Sequence, residues 1–106
     1  MNLISLPELA TRDLFPGVHA KLIHTDRVTI AHVELDEGSV VPAHSHVHEQ
    51  IINMLEGTFE VTLEGKTSTV TGPFVCVVLP NVVHAVTAIT SGKIIDVFSP
   101  VREDLK

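Results

Sequence analysis

The 106-residue sequence predicts a single all-β domain, a sandwich or barrel, on three observations. Apolar and polar residues alternate through short β-branched runs, as half-buried strands require. Turn formers (Gly, Pro, Asn, Asp) interrupt those runs at short, regular intervals. No stretch sustains the apolar period of about 3.6 residues that a helix needs.

Residues 1–17 read as an extended N-terminal arm, because Pro7, Pro16 and Gly17 punctuate it and no period develops. Such arms often pack across a partner subunit. The barrel is assigned to residues 18–99. Strands are expected at 18–24 and 27–35, joined by a hairpin turn at Thr25 and Asp26, and a turn follows at 36–39. Next come 40–43, a histidine segment, 50–55, a turn at Glu56 and Gly57, 58–63, a turn at Glu64 and Gly65, and 66–71. After Gly72 and Pro73 the run 74–79 is apolar on both faces; Pro80 and Asn81 turn the chain. The strands 83–89 and 93–99, separated by Ser91 and Gly92, complete a set of roughly eight to ten. Residues 100–106 are polar and leave the last strand as a C-terminal tail. Phe59 and Phe74 are expected in the core.

Composition bounds the partners. With 44% hydrophobic and only 19% charged residues the chain is globular, and its apolar surface favours an oligomer, expected to be a homodimer. The formal charge is -6, and the few Lys and Arg are scattered, which argues against nucleic acid or an anionic membrane as the main partner. A small anion can still bind locally. The lone cysteine, Cys76, reads as a small buried residue, since no basic partner is near it in sequence. The N-terminal residues lack a basic region followed by a long apolar core, and the protein is expected in the cytoplasm.

The most informative stretch is GSVVPAHSHVHEQIINMLEG, residues 38–57. His44, His46, His48 and Gln50 alternate, so in one extended strand all four leave the same face, where two imidazoles can grip one ion. Glu49 then points to the opposite face. His84 lies far downstream, where a second strand can bring it to the same ion. His19, His24 and His32 have no ligand spacing. In the last strand Asp96 interrupts an apolar run and shares a face with Phe98. A carboxylate there must meet a partner, such as a turn or Arg102, or line a cavity as a general acid or base whose pKa burial raises.

The order Gly38, five residues, His44, one residue, His46, three residues, Gln50, six residues, Gly57 resembles the first motif of the cupins, with Gln where many members carry Glu. The run from Gly72 through PFVCVVLPNVV to His84 resembles the second, with Asn81 where Gly is common; Asn also tolerates the left-handed conformation such a turn needs. The resemblance implies a single-domain cupin barrel, a double-stranded β-helix or jelly roll. It also implies one divalent transition metal ion per chain (Ni, Zn, Fe, Mn or Co), held by His44, His46, Gln50 and His84. His48 falls outside that pattern and is placed at the rim. With three neutral imidazoles and an amide the ion keeps its whole charge, which favours anionic substrates.

Residues 96–104, DVFSPVRED, further resemble the closing segment of the small cupins of pectin and alginate degradation. Members of that group convert 4,5-unsaturated monouronates to open-chain keto acids. This implies an isomerase-type enzyme acting on a small anionic sugar acid, with Asp96 and Phe98 lining the pocket and Arg102 at its edge. Two other readings use the same barrel. One is a metal-dependent dioxygenase, which oxygen uptake would reveal. The other is a non-enzymatic sugar-binding or sensing module, which would carry no ion.

Overall fold

The protein was analysed as a computed structural model that describes residues 3–106. Ten strands form it: β1 (Arg12–Phe15), β2 (Val18–His24), β3 (Thr29–Leu35), β4 (Val40–His44), β5 (Glu49–Glu56), β6 (Thr58–Leu63), β7 (Lys66–Thr71), β8 (Phe74–Val78), β9 (His84–Ala88) and β10 (Gly92–Ser99). They make two antiparallel sheets, β1-β2-β3-β10-β5-β8 and β4-β9-β6-β7, that face each other as a jelly roll. Among the described residues helical structure is confined to two 3-10 turns, Leu6–Glu8 and Glu103–Leu105. None of them is a helix long and apolar enough to cross a membrane.

Period-two alternation builds the core. Ala31, Val33 and Leu35 of β3, Ile52 and Met54 of β5, Phe59 and Val61 of β6, Val86 and Ala88 of β9, and Ile94 and Phe98 of β10 all point between the sheets. Turn chemistry sets the registers. Glu64 and Gly65 both take positive φ, at 49° and 78°, as a tight hairpin between β6 and β7 requires. Gly57 (φ 102°) lies so close to the β9–β10 connection that a Cβ would stand 2.7 Å from the Ser91 carbonyl. Asn81 is left-handed at φ 66°, as its place in the β8–β9 turn implies.

Three expectations need correction. Residues 12–15, expected within the arm, form β1, which pairs with β2 of the same chain and packs Leu14 and Phe15 against the core. The chain ahead of β1 also folds onto β2, where the Lys21 ammonium donates to the Leu6 and Pro7 carbonyls. Met1 and Asn2, the start of that arm, lie outside the described residues. Second, the alternating histidines do not share one strand: β4 ends at His44 in one sheet, residues 45–48 cross over, and β5 begins at Glu49 in the other. Third, Phe74 is 49% exposed, because β8 is an edge strand that ends the six-stranded sheet. Phe59, by contrast, is fully buried.

The new strand brings a pH-dependent contact. His19 of β2 contacts Asp13 of β1 at 2.6 Å and Asp36 at 3.1 Å, and these two acids raise its pKa above 6.5. A folded-state pKa raised above the unfolded one stabilises fully below about 6.5, and that contribution fades as pH rises through the folded value. Thermal melts of His19→Gln against the unsubstituted protein should therefore show a larger deficit near about pH 5.5 than near about pH 8.5.

Candidate metal centre and active site

The inward phase that builds the core turns polar at one end of the barrel. His84 opens β9 in phase with Val86 and Ala88, Gln50 lies in phase with Ile52 and Met54, and Asp96 falls between Ile94 and Phe98. His44, the last residue of β4, pairs in register with His84. The crossover supplies His46, and its backbone is tied to the β8–β9 turn by the Asn81 amide, which donates to the His46 carbonyl at 2.8 Å. Both sequence motifs thereby meet.

His44, His46 and His84 place one ring nitrogen each within 4.8 Å of one another. Hydrogen bonding settles which nitrogen. Nδ1 of His44 donates to the Pro42 carbonyl (2.7 Å), Nδ1 of His46 to the His48 carbonyl (2.9 Å) and Nδ1 of His84 to the Val82 carbonyl (2.9 Å). A carbonyl only accepts, so Nδ1 carries the proton and each Nε2 presents a lone pair. Nε2 of His84 is buried without a hydrogen-bond partner. Burial, aided by neighbouring positive and imidazole groups, holds the pKa of both His46 and His84 below 6.5, which keeps the rings neutral.

Gln50 extends the cluster. Its Oε1 lies 3.0 Å from Nε2 of His46, and its amide Nε2 donates to Oδ1 of Asp96 at 3.1 Å. With His46 neutral, a carbonyl oxygen and an imine nitrogen face each other, both acceptors. Converging acceptors with no donor among them suit a cation, and the residues present fit a divalent ion bound by three imidazoles and an amide oxygen.

Asp96 is half-buried because it lines a cavity, yet its carboxyl is withdrawn from bulk water, and that desolvation pushes its pKa up to about 7. The Gln50 amide and the Arg102 charge oppose the rise without cancelling it. Ala31 and Ile52 flank it across the sheet, so its nearest cross-strand neighbours are apolar. The cavity, about 280 Å³, also reaches His44, Gln50, His84, Phe98 and Arg102.

Arg102 is already engaged. Its backbone amide donates to Oγ1 of the fully buried Thr29, its guanidinium lies 4.8 Å from the centre of the Phe98 ring, and its Nε and Nη2 donate to the two oxygens of Asp104 at 3.0 and 2.8 Å. That fork holds the Asp104 carboxyl down at about 2.

Of the remaining candidates, His48 stands beside His46, with ring centres 5.4 Å apart, but outside the group of three. Glu49 is exposed, opposite in phase to Gln50. Burial raises the Cys76 pKa, as befits an inert core thiol. Among the cavity-lining residues that sequence reading missed are Arg12, Phe15 and Asp104. Residues 12–15 (RDLF) do not alternate, so β1 left no local signal, and the pairing of Asp104 with Arg102 emerges only in the fold.

The profile of the cupin domain family matches residues 31–98. The chain is similar to the pectin degradation protein KdgF of Dickeya dadantii (strain 3937), at 30% identity over 100 residues, which span 92% of this chain and 91% of that protein. Among solved structures, KdgF from Halomonas sp. superimposes with a TM-score of 0.91 at 30% identity, over 100% of this chain and 99% of that one. An RmlC-like cupin from Shewanella frigidimarina NCIMB 400 does so with a TM-score of 0.93 at 26% identity, covering 100% and 96%.

The acceptor cluster makes a direct prediction. Elemental analysis after divalent-metal loading and desalting should find one ion per chain, and chelation should lower the melting temperature. Free metal at about 100 times its Kd stabilises a folded site by about 2.7 kcal/mol, and His84→Ala should abolish that metal-dependent increment.

Proposed function

The chain belongs to the cupin family, and on that premise we propose that it is a metal-dependent enzyme that opens 4,5-unsaturated uronate rings into linear keto acids. The observation that carries this reading is the link from the acceptor cluster through Gln50 to Asp96, a desolvated carboxyl with a pKa near neutrality in the same cavity. Similarity to a pectin degradation protein over nearly the whole chain supports the substrate class.

The reaction needs no oxidant and consumes no water. The substrate is a cyclic enol ether: its C1 hydroxyl loses a proton, the C1–O5 bond breaks, C1 becomes an aldehyde, and the C5 enol becomes a ketone as C4 gains a proton. A group that exchanges protons near neutral pH suits that transfer, and the desolvated Asp96 carboxyl supports this reading. Gln50 holds Oδ1 of Asp96 by its amide, which leaves Oδ2 to carry the proton. A divalent ion held by His44, His46, His84 and Gln50 would supply Lewis acidity toward an anionic oxygen. Phe98, Ile52 and Val86 give the cavity apolar walls that limit water. Arg102, its guanidinium paired with Asp104 and set over Phe98, stands at the cavity's edge.

We also read the chain as a homodimer of the cytoplasm, where a free Cys76 stays reduced. Support for the dimer comes from the outer face of the six-stranded sheet. Val77, Ile51, Val97, Ile30 and Ile23 align in register across β8, β5, β10, β3 and β2, an aliphatic row on the side away from the core. Val77 is 53% exposed, so its end of the row faces solvent in the single chain. Such faces mark association sites.

Two outcomes are expected. With metal-loaded protein the ultraviolet absorbance of the conjugated double bond should decay. Asp96→Asn should slow that decay by roughly 10²- to 10⁴-fold while keeping its melting transition; an unchanged rate would remove Asp96 from the mechanism. Light scattering should report a dimer for the unsubstituted chain, and Ile51→Glu should release folded monomers.

A further inference from the structure

The cavity has a second arginine. Arg12 lies on β1, paired in register with Ala20, whose side chain is wholly buried between the sheets. Cross-strand partners share a face, so Arg12 starts from the inner side of an edge strand and, being exposed, stands at the open rim. It accordingly lines the same cavity as His44, Gln50, His84 and Asp96.

Its charge is uncompensated where that of Arg102 is not. Asp104 occupies Nε and Nη2 of Arg102, the edge that would otherwise grip a carboxylate. Arg12 instead gives Nη1 to a neutral acceptor, the Leu105 carbonyl, at 2.7 Å. That bond joins β1 to the C-terminal tail and fixes the guanidinium. Its Nε and Nη2 have no hydrogen-bond partner among the described residues, and no carboxylate there lies within ion-pair distance of it. Asp13, its neighbour, is paired with His19. In a chain of net charge -6, an exposed guanidinium at the cavity rim with two donors free of protein partners is suited to an anion.

We propose that Arg12 binds the substrate's carboxylate and selects acidic over neutral sugars, with Arg102 holding Asp104 and Phe98 in place. The carboxylate would take the Nε and Nη2 edge in a two-point contact. This assignment rests on the sugar-acid reading of the cavity, and it separates the tasks of the two arginines.

The test uses the full-length, metal-loaded chain and three variants. Arg12→Gln keeps a neutral donor for Leu105 but loses the charge, Arg12→Lys restores charge without the fork, and Arg12→Ala loses both. A charge-assisted contact of this kind corresponds to roughly 10- to 100-fold in affinity. Arg12→Gln should therefore raise KM for the unsaturated uronate by roughly that factor, with a smaller change in kcat, and Arg12→Lys should recover part of it. Calorimetry with D-galacturonate and D-galactose separates this inference from the reaction it rests on. If the unsubstituted protein fails to open the unsaturated ring, the ring-opening reading falls. Arg12 is then still judged by whether the acid binds more tightly than the neutral sugar and whether Arg12→Gln erases that preference. The inference is overturned if the unsubstituted protein shows no such preference, or if Arg12→Gln retains it.

Discussion

Three hydrogen bonds from imidazole Nδ1 to backbone carbonyls organise the polar end of this barrel. The carbonyls of Pro42, His48 and Val82 fix the tautomers of His44, His46 and His84 and turn their Nε2 lone pairs toward one another. Each acceptor belongs to the loop or strand end next to the histidine it orients, so the backbone path and the ligand direction are set together. The Asn81 amide adds the bridge between those paths by bonding to the His46 carbonyl. A shift in either segment would move a ring nitrogen out of the cluster.

The same strands that bury Met54, Ala88 and Ile94 toward one end carry Gln50, His84 and Asp96 toward the other. Polar groups are costly between sheets unless they are bonded. Here the Gln50 amide is bonded to Asp96, while its carbonyl oxygen faces Nε2 of His46 as one more acceptor of the cluster. A glutamate at this position would set a second carboxylate beside Asp96, and the repulsion would alter the proton affinity of both. The amide therefore connects the acceptor cluster to the acid without adding charge, and it leaves desolvation as the main influence on Asp96.

The two arginines differ through their partners. Arg102 is paired with Asp104, stacked on Phe98 and anchored by its backbone amide to Thr29. Arg12 hangs from an edge strand and, among the described residues, hydrogen-bonds through its side chain to a carbonyl of the tail. β1 and the C-terminal tail thus meet on the same side of the cavity, and the distribution of charge there depends on which guanidinium already has a carboxylate.

The all-β class and most strand limits were legible in the sequence, because alternation and turn residues are local properties. Val18–His24, Thr58–Leu63 and Lys66–Thr71 fall where the pattern put them, and the left-handed Asn81 follows from its turn. The gathering of His44, His46 and His84 was legible through the resemblance of the motifs to the cupins rather than through strand geometry. One strand cannot carry these histidines, since the chain changes sheets between His44 and Glu49. Phe74 looked like core because its run is apolar on both faces, and only the sheet order shows that β8 is an edge. Arg12 sat in a segment too short and too close to prolines to read as a strand, and pairing with β2 gave it an inward face. By itself the sequence determined which residues could bind an ion or move a proton, since those are properties of side-chain chemistry and spacing. Tertiary structure decided which lone pairs converge, which carboxyl loses its water and which guanidinium stays unpaired, because each of these depends on groups far apart in the chain.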